Sequence, residues 1–361
     1  MVCFMLHTSY AVRVYQPQFS LTNRMVMNLV KLEVEKSLIE HESLSSQQKG
    51  NLKLRAKAVN MFHMAHIIGV ELTLKDAEKA AEGRKIKTDD ARGIILNNYR
   101  NSIEFVRSNI TDTYVDIDLN IMLHLNKILL TDWKETWESK FRTGGEDIDM
   151  ILDNWVALRD TSIEAVRIQD ELLQVLDWYK SSIAKVHNII RIGVLIYRLM
   201  RISPFMVANK LSIIAIADFL LQKNGYLEHT YLPATRNFDV YEDEYREAWT
   251  HAIEQNEDVT LWLERFIRNL SNDMVDVREE IGKSQQSETK SARQPFLDLN
   301  KRQLKILRYL QTIPTVKRED YVQMMDVSTM TAYRDLDALV QKKLLKVEGK
   351  GRGTRYMLYN R

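Results

Sequence analysis

Chemistry in this chain, if any, is best sought in the stretch RISPFMVANKLS, Arg201 to Ser212, where Pro204 marks a turn between two apolar helical segments. A turn that opens a helix presents unpaired N–H groups and the positive end of a peptide dipole, so it is a natural place to hold a phosphate. Lys210 adds one cation there, and Ser203 and Asn209 add a hydroxyl and an amide. Other constellations are thinner. His63 and His66 share a helix face, but no third metal ligand is apparent nearby. His7, His41, His124, His187, His229 and His251 are scattered. Ser203 lacks the G-x-S-x-G turn of a hydrolase nucleophile. The acidic stretch TGGEDIDMILDN lacks the alternating ligands of a calcium loop and reads as an exposed flap or turn. No metal site is expected.

The elements that must position these residues are helical. NRMVMNLVKLEVEKSLIEHESL, LKLRAKAVNMFHMAHIIGVELTLKDAEKAA and KTDDARGIILNNYRNSIEFVRSN carry helical periodicity. Gly69 and Gly83 are the expected breaks, and Thr88 is the expected cap of the third. Further helices are predicted in DIDLNIMLHLNKILL, SIEAVRIQDELLQVLDWYKSS, IAKVHNIIRIGVLIYRLMRI, NKLSIIAIADFLLQKNG, VYEDEYREAWTHAIEQ and VTLWLERFIRNLSNDMVDVREEIG. Period-two alternation in residues 8 to 20 predicts one short strand. The polar run KSQQSETKSARQP, Lys283 to Pro295, reads as a linker or a frayed helix end.

Length and composition bound the rest. A chain of 361 residues is large enough for two or three domains. Twelve Gly and five Pro are too few for a turn-rich β architecture. Cys3 is the only cysteine, which excludes an internal disulfide and fits a reducing cytoplasm. No segment reaches the ~20 apolar residues of a membrane span. The opening MVCFMLHTSYAVRVYQ lacks a basic start and a small-residue cleavage site, so no secretory signal is expected. The net charge of +2 hides an asymmetry: from Asp298 onward there are fourteen Lys and Arg against seven Asp and Glu, leaving the body near −5. One basic module on an acidic body points to a polyanionic partner.

That basic tail orders itself as helix, helix, turn, helix, then two short strands, LKVEG and TRYMLY, around the hairpin GKGRG. Leu304, Leu307 and Leu310 are expected to be buried in its first helix. Ser328 caps the third, whose apolar face is read as Met330, Tyr333, Leu336 and Leu339 or Val340. This is the order of a winged helix-turn-helix. VSTMTAYRDLDALVQKKLL resembles the recognition helix of sugar-responsive bacterial repressors, over about 60 residues of chain. The expected DNA-facing set is Ser328, Thr329, Thr331 and Ala332, small residues that permit close approach. Tyr333 and Arg334 reach base or phosphate, and Lys350, Arg352 and Arg355 on the wing meet phosphate.

The body, from about Asn51 to about Asn269, resembles the Fic family, enzymes that typically transfer AMP from ATP to a protein hydroxyl. The resemblance is carried by VLIYRLMRISPF…NKLSIIAIADFLLQKNGYL, by Tyr241 and Tyr245, and by Trp262, Leu263 and Phe266. KFRT, Lys140 to Thr143, is similar to the family's target-clamping flap, and KTDDARGIILNNYRNSIEF to its early helix. The resemblance implies that the family's catalytic histidine falls on Ser203 and its magnesium-binding acid on Val207. Its phosphate-cradling glycines fall on Ala208 and Lys210, and its two arginines on Leu211 and Ile214. Only Pro204, Phe205 and Asn209 keep the family's residue types. The inhibitory-helix motif falls on NMFHMAHIIG, with Met64 at the Ser/Thr position, Ile68 at the glutamate position and Gly69 retained. Ile68 and Ile214 would then turn an ion pair into apolar packing.

The expectation is a mainly α protein, with an all-helical Fic-like core, a small β flap and a C-terminal winged helix of α+β type. Its parts are residues 1–105, a helical region with the altered inhibitory segment; 106–282, the core; 283–297, a linker; and 298–361, the winged helix-turn-helix domain. The expected role is a cytoplasmic, DNA-binding transcriptional regulator acting as a homodimer on double-stranded DNA. Its core would serve as scaffold, dimerisation surface or sensor of a small-molecule or nucleotide effector, with no catalytic residue, cofactor or membrane. The rival is a Fic-type enzyme that modifies proteins through unrecognised residues.

Overall fold

The computed structural model describes residues 14–86, 91–108, 116–133, 139–143, 159–227, 231–297, 299–349 and 351–359. The chain divides into two compact units, Met1–Arg278 and Glu279–Arg361. The large unit is built from α1 (Asn23–Glu40), α2 (Ser46–Ile67), α3 (Leu74–Ala81), α4 (Ala91–Ser108), α5 (Leu119–Leu129), α6 (Ile168–Ser181), α7 (Asn188–Ile202), α8 (Asn209–Lys223), α9 (Ala234–Val240) and α10 (Glu242–Glu254). It also contains the first part of α11 (Thr260–Leu297). The small unit carries the rest of α11, then α12 (Lys301–Thr312), α13 (Arg318–Met325), α14 (Thr329–Gln341), β1 (Leu345–Glu348) and β2 (Arg355–Leu358). The architecture is mainly α, as expected.

Local chemistry sets the helix ends. Thr22, Ser45, Thr73 and Asp118 each accept a hydrogen bond from a backbone N–H in the first turn of α1, α2, α3 and α5. After α2 the chain turns at Gly69, φ +68°, and the Arg92 guanidinium donates to the Ile68 and Gly69 carbonyls that the helix leaves unpaired. Gly83 also takes positive φ, so both expected breaks are real. The Thr88 cap lies outside the described residues. Of the strand predicted at residues 8–20, the described part forms one bridge, Gln18 to Asp258. The two segments meet there by accepting a hydrogen bond from Val259 N–H at Gln18 O, 2.8 Å.

Helices α7 and α8 form the centre of the large unit. All residues of α7 from Ile189 to Ile202 are buried except Arg198, and all of α8 from Asn209 to Gln222 are buried. Helices enclosed on every side carry apolar residues all round, which explains why these two read as the most hydrophobic stretches of the sequence. Gly193 allows α11 to approach closely: a Cβ there would lie 2.8 Å from Leu263 Cδ2. Trp262 uses that proximity, donating its indole N–H to Gly193 O at 2.9 Å. Around it Tyr197, Tyr245, Trp249 and Phe266 place ring centroids 5.0–6.1 Å from the Trp262 ring.

In the small unit, α12, α13 and α14 close around Ile306, Leu307, Leu310, Tyr321, Leu336 and Leu339. The hairpin pairs β1 with β2 antiparallel, Leu345 opposite Leu358 and Glu348 opposite Arg355. Val316 ties the α12–α13 turn to β2 through a bridge to Tyr356. Helix α11 runs without a break through the polar stretch 283–295. Leu307 and Leu310 are buried as expected, while the Leu304 side chain lies outside those described.

Candidate functional site

The loop from Ser203 to Ala208 is pinned at both ends by left-handed residues, Ser203 at φ +44° and Ala208 at φ +59°. Ala208 thus holds a backbone conformation that glycine adopts more readily. Ser203 is buried and donates its hydroxyl back to Met200 O at 2.8 Å. Asn209 brackets the loop: its amide oxygen accepts from Phe205 N–H (2.7 Å) and its amide nitrogen donates to Phe205 O (2.8 Å). Pro204 O accepts from Arg142 N–H, and Phe205 is fully buried. Val207, Leu211 and Ile214 are buried apolar side chains. Lys210 is 2% exposed and directs its ammonium to the Glu242 carboxylate on α10, 3.1 Å away. Its charge is met within the protein, by an acid that the sequence pattern did not single out.

The segment read as a flap lies against the loop. Phe141 bridges Phe205 antiparallel, with ring centroids 5.6 Å apart. The Arg142 guanidinium donates to Ser203 O (2.8 Å) and Ile202 O (2.9 Å), satisfying carbonyls that end α7. Residues 144–158, which contain TGGEDIDMILDN, lie outside the described residues apart from Thr143 at its start. Asn126 of α5 donates to Val207 O (3.1 Å) and to Ser212 Oγ (2.9 Å), and accepts from Ser139 (2.7 Å). Met64 and Ile68 are both buried, and α2 packs chiefly on α3, α9 and α4.

The histidine pair has a partner from a distant segment. His63 Nδ1 and His66 Nδ1 lie 2.7 and 2.6 Å from the two carboxylate oxygens of Asp239 on α9. Burial tends to raise the Asp239 pKa, but the hydrogen bonds from His63 and His66 outweigh it and hold the acid below its usual range. Among the described residues, no group of three or more His, Cys, Asp or Glu is arranged to hold a metal ion. No helix among them is long and apolar enough to cross a membrane.

In the small unit Ser328 caps α14, accepting from Thr331 N–H at 3.2 Å. Thr329, Tyr333 and Arg334 are exposed, and Thr331 is half-buried. Ala332 is a correction: it was expected at the DNA-facing surface but is fully buried against the domain core. Met330 and Tyr333 correct the expectation in the other direction. They were read as part of the inward face, yet they are 62% and 47% exposed. The phase of α14 is set by Ala332, Leu336 and Leu339, which place Met330 and Tyr333 on the opposite side. On the hairpin Arg355 is exposed; Lys350 lies outside the described residues, as does the Arg352 side chain. A groove of about 430 Å³ lies between α13, α14 and the hairpin, lined by Arg318, Glu319, Tyr333, Gly351, Thr354 and Tyr356.

Asp335 holds this arrangement together, a role the sequence did not reveal. Its carboxylate accepts from Asn300 (2.7 Å), Arg302 (2.8 Å) and Tyr321 (3.0 Å), joining the start of α12, α13 and α14. Gln303 donates to the Asp335 carbonyl at 3.0 Å. Burial raises the Asp335 pKa, but the bonds from Arg302, Asn300 and Tyr321 win and lower it overall.

Comparison with known proteins bears on both units. Residues 302–350 match the DeoR-like helix-turn-helix domain. The fold of the body is that of Fic proteins. The chain is similar to a Fic family protein from Desulfovibrio desulfuricans G20, with TM-score 0.59 and 16% identity over 96% of this chain and 99% of that one. It is also similar to Fic-1 from C. elegans, with TM-score 0.55 and 16% identity over 71% and 72% of the two chains. A Fic domain containing signaling protein from Bacteroides thetaiotaomicron VPI-5482 gives TM-score 0.53 and 12% identity over 71% and 95%. At these identities the likeness is one of fold. No curated protein matches the sequence.

Proposed function

We propose that this protein is a DNA-binding transcriptional regulator whose Fic-fold core no longer transfers AMP. The observation that carries the reading is the small unit: a DeoR-like helix-turn-helix match with a capped α14 whose N-terminal turns stand exposed beside a basic hairpin. That geometry fits a major-groove reader flanked by phosphate contacts. Two copies on a two-fold site are proposed, because one such unit reads few base pairs. The parts are assigned as residues 1–105, 106–282, 283–297 and 298–361.

The silence of the core is supported by what replaces the chemistry. A buried serine bonded to its own helix offers no base near neutral pH. Val207 cannot ligate a hard cation, and Leu211 and Ile214 cannot stabilise phosphoryl charge. Lys210 is engaged by Glu242. The remaining roles are scaffold, dimer surface or sensor. A sensed ligand would be sought first in the cavity of about 540 Å³ lined by Phe62, His66, Gly69, Val70, Glu71, Leu72, Thr73 and Asp76, which has the volume a small-molecule site needs.

Two measurements test the proposal. Purified protein incubated with fragmented genomic DNA should retain fragments sharing one motif; retention without a shared motif would count against a regulator. Incubation with labelled ATP, magnesium and lysate should label no protein. A labelled band that disappears on Asn209→Ala or Lys210→Ala would establish the enzyme instead.

A further inference from the structure

Helix α14 carries two large side chains that its own domain does not use. Met330 is 62% exposed and Tyr333 47% exposed, while Ala332, Leu336 and Leu339 are fully buried. At 100° per residue, Met330, Tyr333, Arg334 and Asp337 share the outward face, opposite that core. Asp337 sits one turn further along and is half-buried, bonded by Gln341 at 2.8 Å. A carboxylate there repels phosphate, so only the first two turns of this face suit a close approach to nucleic acid. Those turns present Met330 beside Tyr333 and Arg334.

A thioether side chain in the major groove has one favourable partner. Base edges there are hydrogen-bond donors and acceptors, and covering one with methionine removes its water and returns no bond. The exception is the C5 methyl of thymine, the apolar feature of the groove. Burying a methyl group against an apolar side chain is favourable, and methionine adapts its shape to do so. We infer that Met330 determines specificity by packing on a thymine methyl, with Arg334 one residue-face away contacting phosphate or a guanine edge. The inference rests on the reading of the small unit as a DNA-binding domain, and names the base that the unit selects.

The test uses the full chain and the DNA site it retains most tightly. Each thymine of that site is replaced singly by uracil, which removes only the C5 methyl. The wild-type protein should lose about three- to fivefold in affinity at one thymine per half-site, the value of one buried methyl. Met330→Ala should bind with that position indifferent to uracil, and Met330→Leu should keep the sensitivity. At the same position, 5-methylcytosine should bind better than cytosine for wild type and Met330→Leu, but not for Met330→Ala. Uracil neutral at every position, or a methyl effect unchanged in Met330→Ala, overturns the inference while leaving DNA binding standing. Failure to bind any DNA removes both the inference and the reading beneath it.

Discussion

Asp218 makes the pH dependence of the large unit predictable. It is 4% exposed, on α8, and accepts from Tyr99 Oη at 2.8 Å; Tyr99 also hydrogen-bonds Thr235. Its other carboxylate oxygen, Oδ1, is buried with no hydrogen-bond partner among the described residues. Burial therefore dominates and pushes the acid up to about 7, against the smaller opposing effects of Tyr99, Arg107 and Thr235. In the unfolded chain the same group titrates near 3.9. Between those values the folded protein holds a proton that the unfolded chain has released. Stability then falls as pH rises, by about 1.4 kcal/mol per unit. Over roughly three units the loss is on the order of 4 kcal/mol, complete only above the folded value. Asp218→Asn keeps an acceptor for Tyr99 and carries no charge. The variant should match wild type within about 1 kcal/mol at pH 4, where little of the loss has yet accrued. At pH 8 it should be more stable, by several kcal/mol at most. Urea unfolding followed by tryptophan fluorescence measures this for the large unit alone, because all six tryptophans precede Arg278. A difference between variant and wild type that stays constant from pH 4 to pH 8 would refute the reasoning.

Other perturbations have equally definite signs. Gly193→Ala places a Cβ 2.8 Å from Leu263 Cδ2 and 3.0 Å from Phe266 Cδ1, both on fully buried residues. Overpacking of ~1–3 kcal/mol should outweigh the ~1 kcal/mol gain in helix propensity, lowering the urea midpoint. Lys210→Met separates a buried ion pair, but Arg246 remains 3.1 Å from the same Glu242 oxygen. The cost should be about 1–3 kcal/mol, and adding Glu242→Gln should recover part of it in the same assay. Asp335→Asn weakens the bonds to Arg302, Asn300 and Tyr321, and should cost the small unit about 1–3 kcal/mol. Hydrogen exchange should accelerate in α12–α14 and not in α7–α8. Because the folded Asp335 pKa is depressed, its contribution is present above the ordinary aspartate range and lost as pH falls through the lower folded value. Exchange in wild-type α12–α14 should therefore rise on acidification below about pH 4, and less so in Asp335→Asn.

Periodicity made the helices legible, because burying one face of a helix imposes a repeat on a single stretch of sequence. It also made α7 and α8 conspicuous, since enclosure on all sides removes polar residues. The order helix, helix, turn, helix, hairpin could be read in the tail for the same reason, as could the Ser328 cap. What periodicity hides is convergence between distant segments. Asn126, Asp239, Glu242 and Asp335 are ordinary polar residues in their own helices, and their roles come from Val207, His63 and His66, Lys210 and Arg302 on other elements. The rotation of α14 was misread because hydrophobic type was taken as a sign of burial. Ala332 is small and buried, Met330 is large and exposed, and only the packing of Leu336 and Leu339 decides between them.

On the function proposed above, the small unit binds DNA through its charge and its exposed helix. Fluorescence anisotropy of the retained DNA site, read at 50 and 200 mM salt, tests it most directly. Counterion release predicts an affinity that falls steeply with salt, and Arg355→Ala should both weaken binding and shallow the slope by about one unit on logarithmic axes. Binding that ignores salt, or that survives Arg334→Ala with Arg355→Ala unchanged, would contradict the account.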